Sequence, residues 1–334
     1  MKILINCHMP FSLAHGGQAI QIQQTMAAVQ ALGVQVEPLR WWDDTQAGDV
    51  IHYFGRMPAE QIRFAAAKKM KVVMAEFLTA QGSRSPSQLR LQKFISNCME
   101  RLAPRGFLTA YNWDSYRLAD ALVALTPWEK HLMEYMFGAD PARTFVVPNG
   151  VEAEFFNCPP LPRGPWLVCT ATITERKRVL ELAQAAVVAE TPVWIIGRSY
   201  NDNDPYAQKF FQLAKQNPKF IRYEGAISDR TKLAAIYRAA RGFVLLSAME
   251  SLSLSALEAA ACECPILLSD LPWARGSFSR GVQFCPVTGS VSVAAVVLRR
   301  FYADAPQLPF PPKPATWSDV AHQLLAVYKK TVGG

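Results

Sequence analysis

No stretch of this chain reaches the roughly 18 uninterrupted apolar residues that a membrane-spanning helix needs, although half of its 334 residues are hydrophobic. The seven cysteines (Cys7, Cys98, Cys158, Cys169, Cys262, Cys264 and Cys285) lack paired metal-ligand spacing, and an odd count fits reduced thiols better than a disulfide framework. The expectation is therefore a soluble, cytoplasmic protein without a metal centre. Cys262 and Cys264, one residue apart on a predicted helix, face different ways and read as small core residues. The opening MKILINCHMPF has three consecutive aliphatic residues before Asn6, too few for a signal-peptide core, and reads as a first strand. A G-x-G-x-x-G dinucleotide fingerprint is missing, and so is any recognised nucleic-acid-binding motif. Acids are scarce between Arg56 and Arg105, where ten Lys and Arg face three Glu. With Phe64, Met70, Leu91, Phe94 and Ile95 interleaved, that stretch reads either as a solvated face or as a basic amphipathic surface. The second reading predicts peripheral contact with an anionic membrane, or with an acidic acceptor.

What is present is alternation. KILIN, VQVEPL, DVIHYFG, KVVMAEF, ALVALT and TFVVPNG are short aliphatic runs separated by helical patterns at 17–32, 58–69, 87–103 and 127–138. After NCPPLPRGPW, with four prolines in ten residues, the alternation restarts with WLVCTAT, PVWIIG, KFIRYEG, RGFVLLS and CPILLSD, separated by helical patterns at 177–189, 205–217, 229–240 and 252–263. Parallel sheets with helices on both faces follow, in two doubly wound Rossmann-like domains. The predicted boundaries are 1–156, a linker at 157–165, a second domain at 166–305, and a proline-rich crossing with a C-terminal helix at 306–334. Ligands of such sheets lie beyond the carboxyl ends of the strands, so a central cleft faced by both domains is the expected site.

Four motifs carry chemistry. Gly16 and Gly17 follow the first strand and open a helix, where the backbone can approach an anion; a plain turn and helix start is the other reading. Arg176, Lys177 and Arg178 fall where the second domain's first strand gives way to a helix. Cations there oppose the helix dipole unless an anion sits among them; the alternative is a solvated basic turn partnered by Glu175. Asp202-Asn203-Asp204 has the D-x-D arrangement of some metal sites, but Pro205 at the first helical position reads better with Asp204 as N-cap. In ESLSLSALEAAACECP, Ser255 and Glu258 fit a capping box. A helix beginning two or three residues earlier would instead present the N–H groups of Ser251, Leu252, Ser253 and Leu254 to an anion, with Glu258 one turn in and Glu250 on the loop. Two carboxylates accepting hydroxyls at either end of a ligand, with a diphosphate between them, describe a nucleotide-sugar.

On these residues the chain resembles retaining glycosyltransferases of the GT-B fold, the group often called family 4 (glycosyl transferases group 1). The match runs through the Gly-Gly loop, VPNGVE at 147–152, RKR at 176–178, YEGAISDRTKLAAIYRAARGFVLLSAMES at 223–251 and the E-x7-E pattern of Glu250 and Glu258. The resemblance implies that Glu250 meets the donor sugar, that Glu258 meets the nucleotide ribose and that Lys177 meets the diphosphate, which the Gly-Gly loop faces from the other domain. It extends the donor set to Gly197 and Ile227. Three positions depart from the family pattern. Thr172 stands where an Arg is usual, leaving Arg176 or Arg178 to hold the diphosphate; Glu76 stands near the place of a sugar-contacting His; and SLS replaces a glycine-aromatic-glycine turn.

The implied activity is a metal-independent hexosyl transfer, with retention, from a nucleotide-diphosphate sugar to an acceptor hydroxyl. A UDP- or GDP-sugar would be a substrate, with no separate cofactor. The acceptor could be a glycan, a lipid-linked molecule or a small molecule, and the enzyme would be cytoplasmic or peripheral to the inner face of a membrane. An inactive nucleotide-sugar-binding or accessory subunit and an epimerase of the same architecture are the alternatives.

Overall fold

The structure, a computed structural model, describes residues 1–8, 11, 16–102, 113–157 and 159–333, with Glu100 described by its backbone alone. Arg105 of the basic stretch and Cys158 lie outside the described residues. The chain divides into two compact units, Met1–Asn149 with Trp317–Gly334, and Gly150–Thr316. This division falls ahead of the proline-rich segment at 157–165, and it assigns the final helix to the first unit.

The first unit runs β1 (Lys2–Cys7), α1 (Gly17–Ala31), β2 (Gln35–Pro38), β3 (Val50–Phe54), α2 (Ala59–Ala67), β4 (Lys71–Ala75), α3 (Thr79–Gly82), α4 (Pro86–Leu102), α5 (Ser115–Leu118), β5 (Ala121–Ala124), α6 (Pro127–Phe137) and β6 (Thr144–Val146). Its six strands are parallel in the order β2-β1-β3-β4-β5-β6. Every residue of β3 is buried, as a parallel strand covered on both faces requires. Ile51 and Tyr53 join Val72 and Met74 of β4 in the core beneath α2 and α6. His52 faces the other way. Local chemistry sets the helix ends: α6 starts where Thr126 accepts from the Glu129 N–H with Pro127 at the first position, and stops at left-handed Gly138.

The second unit opens with a short helix, α7 (Ala153–Asn157), and continues β7 (Leu167–Thr170), α8 (Val179–Ala189), β8 (Val193–Ile196), α9 (Pro205–Gln216), β9 (Ile221–Tyr223), α10 (Arg230–Ala239), β10 (Gly242–Leu245), α11 (Leu254–Ala261), β11 (Ile266–Ser269), α12 (Pro272–Ser277), β12 (Val282–Cys285) and α13 (Val291–Asp304). Its strands, also parallel, lie in the order β12-β11-β10-β7-β8-β9, which reverses direction between β7 and β10. A doubly wound sheet opens its ligand crevice at such a reversal, beyond the carboxyl ends of the two central strands. Phe155 of α7 is fully buried beside Tyr237 of α10, which ties the segment after Gly150 to this unit. The last helix, α14 (Trp317–Gly333), packs with α1 in the first unit, where the Tyr328 hydroxyl lies 2.6 Å from His52 Nδ1.

Candidate functional site

At the reversal of the second sheet, β7 is followed by a 3-10 turn over Glu175–Lys177 and then by Arg178 in the left-handed region (φ 52°). Helix α8 thus begins at Val179, two residues later than the sequence pattern suggested, and the cations lie on the turn ahead of it. A non-glycine residue resists this backbone, and such strain is held only where the surroundings enforce it. Arg178 is anchored: its guanidinium donates to the carbonyls of Val287 at 2.6 Å and Gly289 at 3.5 Å, on the loop after β12. Its charge is therefore spent on backbone, away from the cations beside it.

Those cations converge on the loop after β10. The Lys177 ammonium donates to Glu250 Oε1, and Arg176 Nη1 lies 3.5 Å from the same oxygen and donates to the Met249 carbonyl at 3.1 Å. The Ala248 N–H donates to the Arg176 carbonyl at 2.8 Å, so the two strand-end loops are joined through their backbones as well. Lys177 and Glu250 are largely buried, whereas Arg176 keeps 41% of its side chain exposed. Of the three basic residues, Arg176 and Lys177 face Glu250 and Arg178 does not. The buried hydroxyls of Thr174 and Ser247, which follow the two central strands, meet no partner among the described residues, as expected where a ligand or ordered water completes a site.

Helix α11 begins at Leu254. Its N-cap is Ser253, whose hydroxyl accepts from the Ala256 N–H at 3.4 Å, so Ser255 does not cap the helix as the S-x-x-E pattern suggested. The start is two residues earlier, as the anion-binding reading required, and places Ser251, Leu252, Ser253 and Leu254 at the helix mouth. Glu258 then lies one turn in, on a helix whose small alanines allow it to be buried to 3% exposure. Burial pushes the Glu258 carboxyl above the usual carboxylate range, opposed by the nearby Arg230 charge.

Arg230 and Tyr237, from α10, grip Glu258. Arg230 Nη2 donates to Glu258 Oε1 at 2.5 Å and lies 2.9 Å from Glu152 Oε1, while the Tyr237 hydroxyl donates to Glu258 Oε2 at 3.2 Å. The guanidinium also covers the Phe155 ring at 4.7 Å. Neither Arg230 nor Tyr237 has an assigned role from sequence alone, although both lie in the YEGAISDRTKLAAIYRAARGFVLLSAMES motif. A signal was available: Arg230 opens a helix just after its N-cap Asp229, where a cation opposes the dipole and needs a carboxylate partner.

Gly197 directly follows β8 with φ 156°, and a Cβ there would fall 1.9 Å from the Ala171 carbonyl oxygen, so the backbones just past β7 and β8 approach closely. Ile227 is half-buried on the loop between β9 and α10. Asp204 occupies the N-cap position of α9 with Pro205 following, but its side chain caps nothing; Asp202 accepts instead from the Ser199 hydroxyl.

The remaining candidates belong to the first unit. Gly16 has φ 140° at the mouth of α1, a conformation that favours glycine, and Gly17 is the first residue of the helix. Glu76, after β4, accepts two bonds from Arg56, at 2.8 and 3.0 Å, and one from the Tyr116 hydroxyl at 2.5 Å. Arg56 in turn lies over the rings of Tyr116 and Phe137, which stack on each other. This makes Glu76 the centre of an ion-pair cluster within the first unit.

Two parallel α/β Rossmann-like units with this strand order define the fold of GT-B glycosyltransferases. Within it, residues 164–297 match the family described as Glycosyl transferases group 1, which covers the strands and loops just described. The whole chain is similar in structure to sucrose-phosphate synthase from Thermosynechococcus elongatus, at 16% identity and a TM-score of 0.70, with 100% of each chain covered. It is likewise similar to a glycosyltransferase from Rickettsia africae, at 11% identity and a TM-score of 0.65, covering 99% of this chain and 98% of the other. A third similar structure is the HepE protein of Anabaena in complex with UDP-glucose, at 13% identity and a TM-score of 0.64, covering 100% of this chain and 98% of that one. A search of curated proteins found no sequence match.

Proposed function

We propose that the chain is a nucleotide-sugar-dependent glycosyltransferase whose second unit binds the donor. The observation that carries this reading is the convergence of Lys177, Arg176 and Glu250 at the sheet reversal, beside the mouth of α11. The match of residues 164–297 to group 1 glycosyl transferases and the UDP-glucose complex of the similar Anabaena structure support it. Lys177 exchanges Glu250 for a donor phosphate, and Arg176, exposed beside it, takes a second phosphate oxygen. The N–H groups at the start of α11 complete an electrostatic cradle for the charge that builds on the departing diphosphate. Glu250, released from Lys177, accepts from sugar hydroxyls, and Glu258, held by Arg230 and Tyr237, meets the ribose.

Two cations and a helix N-terminus supply the positive charge that a divalent ion would otherwise bring, so the transfer runs without metal. The acceptor hydroxyl attacks the face from which the diphosphate leaves, giving its proton to a leaving phosphate oxygen and retaining the configuration at the anomeric carbon. We assign a hexose as the transferred sugar and the first unit as the acceptor side.

Nuclear magnetic resonance of the reaction with UDP-glucose or GDP-mannose and a panel of acceptor alcohols tests this. The expected product has the donor's anomeric configuration, forms in the presence of EDTA, and forms about 10²–10³-fold more slowly in Lys177→Met, the loss typical of one missing electrostatic donor. An inverted product, or dependence on added magnesium, would overturn the mechanism. A correctly folded chain that releases no nucleotide from any donor would point to a binding subunit.

A further inference from the structure

Trp41 and Trp42 are the two central residues of a turn, closed where the Asp43 N–H donates to the Arg40 carbonyl at 3.0 Å. Turn tips ordinarily take Gly, Pro, Asn, Asp or Ser, each for a backbone reason. Tryptophan serves none of those reasons, yet two in succession stand in solvent here, Trp41 85% exposed and Trp42 69%. The turn follows β2, the outermost strand, at the carboxyl edge of the first sheet.

The segment that carries the two rings is held fast. Across the base of the turn, Arg40 Nε and Nη2 donate to Asp43 Oδ2 at 3.0 and 2.8 Å, and Arg40 Nη1 donates to Glu37 Oε2 at 3.1 Å. Gln46 accepts from the Arg40 N–H at 2.7 Å and donates to Glu37 Oε1 and the Pro38 carbonyl, both at 3.0 Å. Asp43 Oδ1 accepts from the Thr45 N–H at 3.1 Å and from its hydroxyl at 2.7 Å, and the Lys2 ammonium of β1 lies 2.5 Å from Glu37 Oε1. Hydrogen bonds, from Lys2 first, hold the Glu37 carboxyl at about 2, and those from Thr45 lower that of Asp43, so both stay charged. Polar side chains thus fix the backbone while the indoles face solvent. Their rings lie 5.4 Å apart at 84°, edge to face, and form an open corner. Rigid aromatic groups lose little conformational entropy on contact, so a corner of this kind is suited to binding.

We infer that this corner is a carbohydrate-binding site for the pyranose rings of a neutral glycan. One face of a pyranose carries C–H groups, apolar and faintly positive, which suit the negative π face of an indole. Asp44 and Thr45, both exposed two and three residues beyond Trp42, offer a carboxylate and a hydroxyl to the hydroxyls at the sugar's rim. Charge chooses among the occupants. Glu37, Asp43 and Asp44 outnumber Arg40 and Lys2, whose charges are already met by Glu37 and Asp43, so anionic lipid and the nucleic-acid backbone are repelled. A second copy of the chain, docked through this turn about a two-fold axis, would bring the same acids face to face. A neutral polyol meets no such penalty. Both tryptophans belong to the first unit and take no part in the donor site, so the inference stands apart from the proposed transfer.

The test is nuclear magnetic resonance of the full chain titrated with maltotriose, cellotriose and N-acetylchitotriose. Indole N–H signals report the site, Trp41→Ala and Trp42→Ala assign them, and saturation transfer to the sugar gives the affinity in each variant. Both positions are exposed, so the fold should persist; circular dichroism and light scattering check fold and oligomeric state. The expected result is a saturable shift of both indole signals by at least one trisaccharide, with affinity about tenfold or more lower in each alanine variant and a smaller loss in Trp42→Phe, which keeps a ring. No shift with any of the three sugars, or sugar binding that both alanine variants leave intact, would overturn the inference. So would binding to phosphatidylcholine vesicles, or dimerisation, that the alanine variants abolish while no sugar binds.

Discussion

Replacing Arg230 with Met removes a cation shared by Glu152 and Glu258 while keeping the bulk over Phe155. Breaking a buried pair by deleting one partner costs about 3–5 kcal/mol. Arg230 keeps 28% of its side chain exposed, which sets the expectation near the lower figure, about 3 kcal/mol. For a unit of this size each kcal/mol moves the melting temperature by about 2–4 °C, so the donor unit should melt about 6–12 °C lower. The loss should depend on pH. The folded-state pKa of Glu258 is already raised by burial, and without Arg230 it rises further. Between the unfolded and folded values the folded state binds more protons, so stability falls as pH rises through that range. Calorimetric scans of the full chain at pH 5 and pH 8 should therefore show a larger deficit at pH 8. Adding Glu258→Gln to the Arg230→Met variant should flatten the pH dependence and recover part of the loss. An equal deficit at both pH values, with no recovery in the double variant, would refute the claim that a buried charge drives the effect.

Gly197→Ala places a Cβ 1.9 Å from a backbone oxygen at φ 156°, and should destabilise the donor unit by about 3 kcal/mol or more, read as a lowered urea midpoint. Thiol reactivity should separate the described cysteines: burial pushes the Cys169 and Cys264 thiols up to about 12, so a thiol reagent at pH 8 should label half-buried Cys7 and Cys98 before Cys169 and Cys264. Rapid labelling of Cys264 in the folded protein would contradict that burial.

The alternation of strands and helices was legible because parallel strands buried on both faces read as aliphatic runs, as in KVVMA of β4 and GFVL of β10. Helix starts were legible where a cap stands in the sequence, as at Thr126 with Pro127. Harder to read was any feature that joins separate elements. Glu76 invited comparison with a sugar-contacting His, but its environment is set by Arg56 and Tyr116, twenty residues before it and forty after. Arg178 could not be told from Arg176 by type or position, because what separates them is a left-handed backbone that no glycine announces. The five residues of α7 are too few to show a helical period, so the prolines that follow drew the predicted boundary away from Gly150. Glu250 and Glu258 were visible as a spaced pair, yet their partners come from the loop after β7 and from α10.

Calorimetric titration of the full chain with UDP, GDP and ADP tests the donor site of the second unit most directly. Saturable binding of one nucleoside diphosphate is predicted, weakened about tenfold or more in Lys177→Ala, which loses a charge-assisted bond to phosphate, and weakened also in Glu258→Ala. No binding of any of the three, or binding that both substitutions leave intact, would contradict it.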